Sequence, residues 1–306
     1  MKEIIEFYYN IKIDSLHSKN DYYFFHIGNT EYIFKQYYND ERLIEATYRL
    51  NNLLREKINI SNIILNKYGY PITKTENNSY ILIQNNQNNN ISLSIISNFS
   101  NTIINNTDYI KNLERNNWEI LWSNKIDYYE KQINENNKKY PLIRESIDYF
   151  IGMGEIAISY LSNTKLEVNK TMLDNKVLSH NTLSNSIWDP QNIILDHKAR
   201  DVAEYIKYSF WNNNKNIFIE LEEYFKHNQY SLYGIRVLYS RILYPSFYFD
   251  LYDDIINTKK NEIELNKIIS RITEYEYYLY NIYLYLNKFY NIPEINYIKK
   301  QGINPR

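Results

Sequence analysis

The hydrophobic residues of this chain change their spacing near residue 84. Before that point, short aromatic and β-branched runs alternate with turn residues, which is typical of antiparallel strands. Residues 22–38 predict two strands around a turn at Gly28-Asn29. After that point, apolar residues recur three and four positions apart over long stretches, which indicates helices. The order of the two patterns predicts an α+β protein, with a small antiparallel sheet followed by a larger helical part.

The strand-rich part also contains a helix. Asp40 is placed to open an amphipathic helix, because apolar residues at helical spacing follow it. Two further short strands come next, separated by a turn at Gly69 and Pro71, and the second of them ends near Gln84. Residues 1–84 therefore predict a small β-rich lobe with the order strand, strand, helix, strand, strand.

The rest of the chain divides into a connection and a helical lobe. Residues 85–114 are rich in Asn and predict a polar connection at the surface. Residues 115–306 predict the helical lobe, which includes the catalytic-loop-like stretch described below. Near its start, Trp118 and Trp122 fall on one helix face and are expected to be buried.

Two later stretches of this lobe also predict helices. The first spans residues 144–161, and its Gly152 and Gly154 are small enough to permit close contact with a neighbouring helix. The second spans residues 266–290, and its apolar residues recur at spacings of four and three. They are Ile268, Ile272, Tyr275, Leu279, Ile282, Leu286 and Phe289. This stretch is too short for a coiled coil, so a helix of the core is the better interpretation.

The composition excludes several kinds of site and partner. The chain has 306 residues, a net charge of -1 and no Cys, so disulfides, zinc–thiolate sites and thiol catalysis are excluded. The balanced charge argues against binding to nucleic acid or to an anionic membrane. No apolar run is long enough to span a membrane and no signal peptide is recognisable, so cytoplasmic synthesis is expected. The 34 Tyr residues reflect either an A+T-rich genome or a surface used for adhesion or cross-linking.

Residues 179–207 have the outline of a kinase catalytic loop. The stretch reads SHNTLSNSIWDPQNIILDHKARDVAEYIK, with a His, a Pro-x-Asn run, an Asp after an apolar strand and then a helix. In phosphoryl transfer such a loop supplies an Asp that accepts the proton of the attacking hydroxyl, together with ligands for Mg²⁺.

Four blocks of sequence carry a family resemblance over nearly the whole chain. They are WEILWSNKIDYYE (118–130), YFIGMGEIAISYLSNT (149–164), DHKARDVAEYIK (196–207) and YGIRVLYSRILYPSFYF (233–249). These blocks resemble the spore-coat-associated kinase-like proteins of endospore-forming bacteria, of the CotS/YutH type. The family lies within the aminoglycoside phosphotransferase and protein-kinase-like fold. The resemblance therefore implies a bilobal kinase-like fold and a location in the spore coat, with coat proteins or a second copy of the chain as partners.

The resemblance also implies a phosphate-binding residue. Lys35, in EYIFKQY, stands at the position of the lysine that contacts the phosphates of ATP. The motif alone fits an exposed strand lysine equally well. Glu45 is the candidate ion-pair partner of this lysine on the following helix, with Glu41 and Glu56 as alternatives. Only Gly28 precedes Lys35 where kinases have a glycine-rich loop, so one cradle for the phosphates is missing.

Four further residues are carried over from the family. Asp196 and Asn192 match the ligands of Mg²⁺, while His180 and Asp201 match residues that support the loop. Asp201 can also be interpreted simply as a helix cap.

The catalytic base of the loop is missing. In one alignment, His180-Asn181-Thr182 matches the family's His-Gly-Asp and puts Thr182 at the base. In the other, the run from Asp189 to Asn192 matches His-Pro-x-Asn and puts Ile187 there. Neither side chain accepts a proton at neutral pH as a carboxylate does. Asp189 could substitute if the loop is rearranged.

The resemblance, together with the missing base, implies two possible functions. The first is a non-catalytic, pseudokinase-like component of the spore coat that serves assembly or interaction and retains at most weak nucleotide binding. The alternative is an active small-molecule phosphotransferase that uses ATP and Mg²⁺ without the usual base, since positioning supplies much of this catalysis.

Overall fold

The structure is a computed structural model that describes residues 1–19, 22–58, 60–76, 78–86, 91–104, 108–115, 117–136, 139–183 and 187–303. It divides into two units, each made of two stretches of chain. Unit 1 contains Met1–Arg115 and Lys176–Asp196, and unit 2 contains Asn116–Asn175 and His197–Arg306. The sequence analysis assigns Lys176–Asp196 to the helical lobe, whereas these residues pack within unit 1.

Unit 1 is built on a six-stranded antiparallel sheet. Its strands are β1 (His17–Lys19), β2 (Tyr22–Ile27), β3 (Thr30–Gln36), β4 (Asn62–Ile64), β5 (Thr73–Lys74) and β6 (Ser79–Gln84). Their order is β1-β2-β3-β6-β4, and β5 pairs with β6. The predicted hairpin of β2 and β3 is confirmed, and Gly28 in its turn has a φ of 58°, which glycine adopts readily. β1 and β5 are too short to show an alternating pattern, which explains why the sequence does not predict them.

Three helices belong to the same unit: α1 (Lys2–Tyr9), α2 (Ile44–Leu54) and α3 (Leu93–Ser100). α1, which was not predicted, packs Ile5 and Tyr9 against the sheet. The side chain of Asp40 accepts a hydrogen bond from the Arg42 N–H and caps a short turn that leads into α2. α3 lies inside the predicted Asn-rich connection, of which residues 87–90 and 105–107 lie outside the described residues.

The catalytic-loop stretch is part of the hydrophobic core of unit 1. Here β7 (Lys176–His180) pairs with β8 (Ile193–His197). Buried side chains from this stretch join one cluster with residues of α2, of α3 and of the segment after α3. They are Leu178, Ile187, Trp188, Ile193 and Leu195. Burial of these five side chains is the physical reason why the loop belongs to unit 1.

Unit 2 is helical. Its helices are α4 (Trp118–Asn136), α5 (Pro141–Glu167), α6 (Ala199–Trp211), α7 (Ile217–His227), α8 (Leu232–Leu243), α9 (Ser246–Ile256), α10 (Asn266–Ile269), α11 (Ile272–Tyr290) and α12 (Asn296–Ile303). The predicted helix over 266–290 is interrupted between α10 and α11. Most of its apolar residues are buried as expected, but Phe289 is 68% exposed. None of the helices in the described part of the chain is long and apolar enough to cross a membrane.

The predicted buried face of α4 is confirmed. The ring of Trp122 stacks on Tyr244 with centroids 4.4 Å apart, and the guanidinium of Arg241 lies over Trp118. Of the two glycines in α5, only Gly154 permits a close helix contact, because an added Cβ there would lie 2.7 Å from Cδ1 of Ile126 on α4. An added Cβ on Gly152 would meet no atom within 4 Å.

Candidate functional site

The loop between β7 and β8 is held closed by one side chain. Nδ2 of Asn192 donates to the carbonyl oxygen of Thr182 at 2.7 Å, and the Thr182 N–H donates to Asn192 Oδ1 at 2.9 Å. The Thr182 hydroxyl also donates to that oxygen, at 3.3 Å. The Asn192 amide therefore acts as a clamp that joins the two ends of the loop. Residues 184–186 of the loop lie outside the described residues.

The two possible base positions differ in their surroundings. Ile187 is 1% exposed and belongs to the core cluster of unit 1, so no substrate hydroxyl could reach it without unfolding the loop. Thr182 is exposed and lies beside Asn192. This placement supports the first alignment, with Thr182 at the base position. The assignment itself stays a prediction.

Lys35 and Asp189 form an ion pair. The Lys35 ammonium, on β3, donates to Oδ2 of Asp189, and both side chains are mostly buried. The other carboxylate oxygen of Asp189 accepts from the Gln191 N–H at 3.0 Å and caps the turn Pro190–Asn192. Asp189 is therefore held from both sides: a backbone donor binds one oxygen and the lysine binds the other.

Gln191 joins the loop to the end of β3. Its side-chain amide donates to the Gln36 carbonyl oxygen, and its side-chain oxygen accepts from the Tyr38 N–H, each at 3.3 Å. The Asn39 side chain donates to the Gln191 carbonyl oxygen at 3.1 Å. Together with the Lys35–Asp189 ion pair, these hydrogen bonds hold the loop against the end of β3. Sequence reasoning missed Gln191, because in a Pro-x-Asn run the middle residue is unspecified.

The protonation state of Lys35 follows from its surroundings. Burial lowers the pKa of the Lys35 ammonium to about 8, because a charged group loses solvation in the interior. The neighbouring Asp189 carboxylate acts in the opposite direction by favouring the charged form. The side chain is therefore a cation at pH 7, and its counter-ion comes from the protein itself.

Two of the three glutamates proposed as partners of Lys35 are engaged elsewhere, and the third, Glu56, is exposed. Glu45 pairs with Arg49 one turn along α2, with their side chains more than half exposed. Glu41 binds Lys74 and the Ser79 hydroxyl. The partner that the structure gives Lys35 is 154 positions away in sequence, so helix-face reasoning on the residues after β3 could not find it.

The remaining predicted residues are buried. In unit 1, His180 packs its ring edge-on against Phe99 with centroids 4.5 Å apart, and Asp196 is buried on β8. In unit 2, Asp201 is buried in the first turn of α6. The helix begins at Ala199, so the interpretation of Asp201 as its cap is wrong.

A separate polar cluster surrounds Asp174 in unit 2. Asp174 Oδ1 accepts from the Ser231 hydroxyl at 2.6 Å and lies 3.3 Å from Nε2 of His197. Burial acts to raise the pKa of Asp174, but hydrogen bonds from His197, Ser231 and Thr171 outweigh it and hold the pKa well below its usual range. This cluster ties three stretches of unit 2 together, and no motif predicts it.

A family model described as "Spore coat putative kinase YutH" matches residues 2–282. The chain belongs to this family. The endospore coat-associated protein YutH of Bacillus subtilis is 28% identical over 192 residues. That match covers 56% of this chain and 57% of the relative, so it spans little more than half the length of either protein.

Solved structures share the fold over nearly the whole chain. An aminoglycoside phosphotransferase from Alicyclobacillus acidocaldarius superposes with a TM-score of 0.66 at 9% identity, covering 94% of this chain and 97% of that one. A spectinomycin phosphotransferase, in complex with ADP and spectinomycin, gives a TM-score of 0.61 at 13% identity, covering 99% and 96%. At such identities these likenesses show the fold alone, which is the kinase-like fold predicted from the sequence.

Two of the residues in unit 1 that would hold ATP and Mg²⁺, which the kinase-like fold implies, are already engaged within the protein. A phosphate-binding lysine has to present its ammonium to phosphate oxygens, but Lys35 is bound to Asp189. A metal-binding asparagine has to present its oxygen, but Oδ1 of Asn192 accepts from Thr182. Within the described residues, no group of three or more His, Cys, Asp or Glu side chains could hold a metal ion.

Proposed function

We propose that this protein is a non-catalytic, kinase-like component of the endospore coat, which acts in assembly or interaction by binding coat proteins or a second copy of itself. The coat location is supported by the family description and by the name of the Bacillus subtilis relative. The absence of phosphate transfer is supported by the catalytic loop.

One observation carries the proposal. Residues 181–192 read NTLSNSIWDPQN, so Asp189 is the only carboxylate available in the loop. Asp189 binds Lys35, the residue that would hold the phosphates. The loop's one candidate base thus neutralises the lysine, and the position of the usual base carries Thr182. The pair serves to hold the loop on β3, which is a structural role.

The same contact favours one alternative, an active phosphotransferase. Because Asp189 touches Lys35, its carboxylate lies near any phosphate that Lys35 would contact. If a phosphate group drew Lys35 away, Asp189 would be released and could accept a proton from a substrate hydroxyl. The proposal and the alternative therefore make opposite predictions for the same residue.

The decisive variant is Asp189→Asn. An asparagine can still cap the turn Pro190–Asn192 but no longer neutralises Lys35. A ligand at 100 times its Kd stabilises a protein by about 2.7 kcal/mol, which raises the melting temperature by several degrees. We expect Mg-ATP to raise the melting temperature of the wild-type protein by much less than this. Asp189→Asn should increase that shift, because the freed ammonium attracts phosphate. Lys35→Met and Asp196→Ala should abolish it, and Thr182→Ala, the matched control in the loop, should leave it nearly unchanged.

Turnover separates the two functions. ADP release with small hydroxyl-bearing acceptors should stay at background for the wild type and for Asp189→Asn. Robust turnover by the wild type that disappears in Asp189→Asn would overturn the proposal and make Asp189 the base of a phosphotransferase. A fluorescent fusion in a sporulating host should reach the coat equally well with Lys35→Met, because the proposed role does not need nucleotide.

A further inference from the structure

Two tyrosines project from one tight turn of unit 1. Tyr68 and Tyr70 lie on either side of Gly69 in the turn after β4, and they are 57% and 64% exposed. Gly69 has a φ of 81°, which favours glycine and lets the chain reverse between the two rings. Among the described residues, no other two exposed tyrosines lie so close in sequence. The turn therefore presents two phenol rings at one place on the surface.

Asn66 holds this turn in one shape. Its side-chain oxygen accepts from the N–H groups of Tyr68 and Tyr70 at 3.0 and 3.1 Å, and its Nδ2 donates to the Ile72 carbonyl oxygen at 3.0 Å. Its backbone N–H donates to the Tyr70 carbonyl oxygen at 2.9 Å. Because Asn66 is itself buried, both rings are carried on a fixed support.

The two phenols of the turn are accessible to an oxidant. Neither hydroxyl forms a hydrogen bond with another residue that the structure describes. The ring of Tyr68 meets Tyr8 edge-on with centroids 6.1 Å apart, and the ring of Tyr70 contacts no other ring in the described part of the chain. By contrast, the Tyr297 hydroxyl on α12 donates to Oε1 of Glu276 at 2.6 Å. An oxidant therefore reaches the phenols of the turn without breaking a hydrogen bond of the fold.

The other exposed tyrosines of the described chain lie singly, and all but the first are on helices. They are Tyr38, Tyr128, Tyr208, Tyr277 and Tyr297. Two phenols couple only when a ring carbon of one meets a ring carbon of the other, so both rings have to approach closely. A ring that lies along a helix is shielded on one side by that helix, whereas a ring on a projecting turn can be approached from several directions. The turn is therefore where coupling between two molecules meets the least hindrance.

We propose that Tyr68 and Tyr70 are the sites at which this protein is oxidatively cross-linked to a second copy of itself. Since every copy carries the same turn, the phenols of two copies can meet across a twofold axis. Two phenols on one turn also let each copy form more than one bond, so the links extend beyond a dimer. The inference deepens the proposed function and rests on it, because a permanent bond between copies serves an assembly.

The reaction needs an oxidant from outside the chain. A haem peroxidase with hydrogen peroxide removes one electron and one proton from each phenol. The two phenoxyl radicals form a carbon–carbon bond between ring carbons ortho to the oxygens, and the hydrogen on each of these carbons moves to the neighbouring oxygen. Two tyrosines and one hydrogen peroxide thus yield one dityrosine and two waters, with two electrons passed to the peroxide.

The purified full-length protein, treated with hydrogen peroxide and a haem peroxidase, tests this reaction. We expect dimers and larger multimers on denaturing gels, the fluorescence of dityrosine, and linked peptides in mass spectrometry that contain Tyr68 or Tyr70. The double variant Tyr68→Phe/Tyr70→Phe should lose most of these products. It keeps both rings and removes only hydroxyls that bind no other described residue, so its thermal unfolding should match that of the wild type.

A matched control removes two exposed hydroxyls elsewhere. Tyr128 on α4 and Tyr277 on α11 are 47% and 48% exposed. Tyr128→Phe/Tyr277→Phe should form multimers as the wild type does. The inference is wrong if the Tyr68 and Tyr70 double variant gives the wild-type yield, if both double variants lose the products equally, or if the linked peptides contain neither Tyr68 nor Tyr70.

Coat extracts from a sporulating host separate this inference from the proposed function. The tagged wild type should reach the coat and give multimers that survive boiling with a reductant. The Tyr68→Phe/Tyr70→Phe variant should reach the coat but run as a monomer. Failure of the wild type to reach the coat contradicts the proposed function. A wild type that reaches the coat without such multimers, or multimers that the double variant forms equally well, contradict the cross-linking alone.

Discussion

The ammonium of Lys35 has a carboxylate partner that local sequence patterns do not predict. A lysine on the third strand and an Asp near a Pro-x-Asn run can both be recognised from the sequence. Their pairing depends on how the loop packs against β3, and the residues are 154 positions apart. Sequence reasoning therefore finds the candidate residues but misses the contact that decides what Lys35 can bind.

The pH dependence of stability tests the surroundings of Lys35. Its pKa is about 8 in the folded protein and 10.5 as the ordinary value. Between these values the unfolded chain binds a proton that the folded chain has released, so the Lys35 contribution to the free energy of unfolding rises with pH. Wild type should gain stability relative to Lys35→Met from pH 8 to 10.5, by at most ~1.4 kcal/mol per pH unit.

Urea unfolding of both proteins across this range measures the difference, and the comparison cancels the titration of the tyrosines. A difference that falls as the pH rises would mean that the Asp189 ion pair outweighs burial and holds the pKa of Lys35 above its ordinary value.

Among the elements, those with strong local signals are the ones that the sequence predicts. The hairpin of β2 and β3 has a Gly-Asn turn, and α5 shows long helical periodicity. β1 has three residues and is defined by its pairing with β2, which no local pattern reveals. The two glycines of α5 show the same limit, since spacing cannot tell which one faces α4.

The α5 glycines make a matched pair for mutagenesis. Gly152→Ala should stabilise the protein by about 0.5–1 kcal/mol, because alanine favours a helix and the site has room for a methyl group. Gly154→Ala should instead destabilise it by roughly 1–3 kcal/mol, because its methyl group would overlap the buried Ile126 side chain. Urea unfolding gives both values. Equal effects of the same sign would show that the α4–α5 contact does not depend on Gly154.

At the scale of the whole molecule, the two units do not follow the order of the chain. Each unit consists of two stretches of chain, and in the sequence a stretch of the other unit lies between them. Composition and periodicity divide the chain into continuous segments, here with boundaries at 84 and 114. They cannot detect a unit that is made of two separate stretches of the sequence. The loop stretch joins unit 1 through side chains whose partners lie on α2 and α3.

This organisation predicts how fragments behave. A fragment of residues 1–115 keeps the whole antiparallel sheet but lacks Lys176–Asp196. It therefore leaves exposed the part of the core that Ile187, Trp188 and Leu195 cover in the full chain. Since burying one large apolar side chain contributes about 1.5–3 kcal/mol, losing these three removes an amount comparable to the whole stability of a typical domain, about 5–15 kcal/mol. We expect the fragment to lack a cooperative thermal transition by circular dichroism and to bind a hydrophobic dye.

Adding residues 176–196 through a flexible linker should restore the transition, whereas the same stretch with Ile187 and Trp188 replaced by Ser should not. If residues 1–115 alone melt cooperatively near the temperature of the full chain, the loop is an accessory to this core and the division into two interleaved units is wrong.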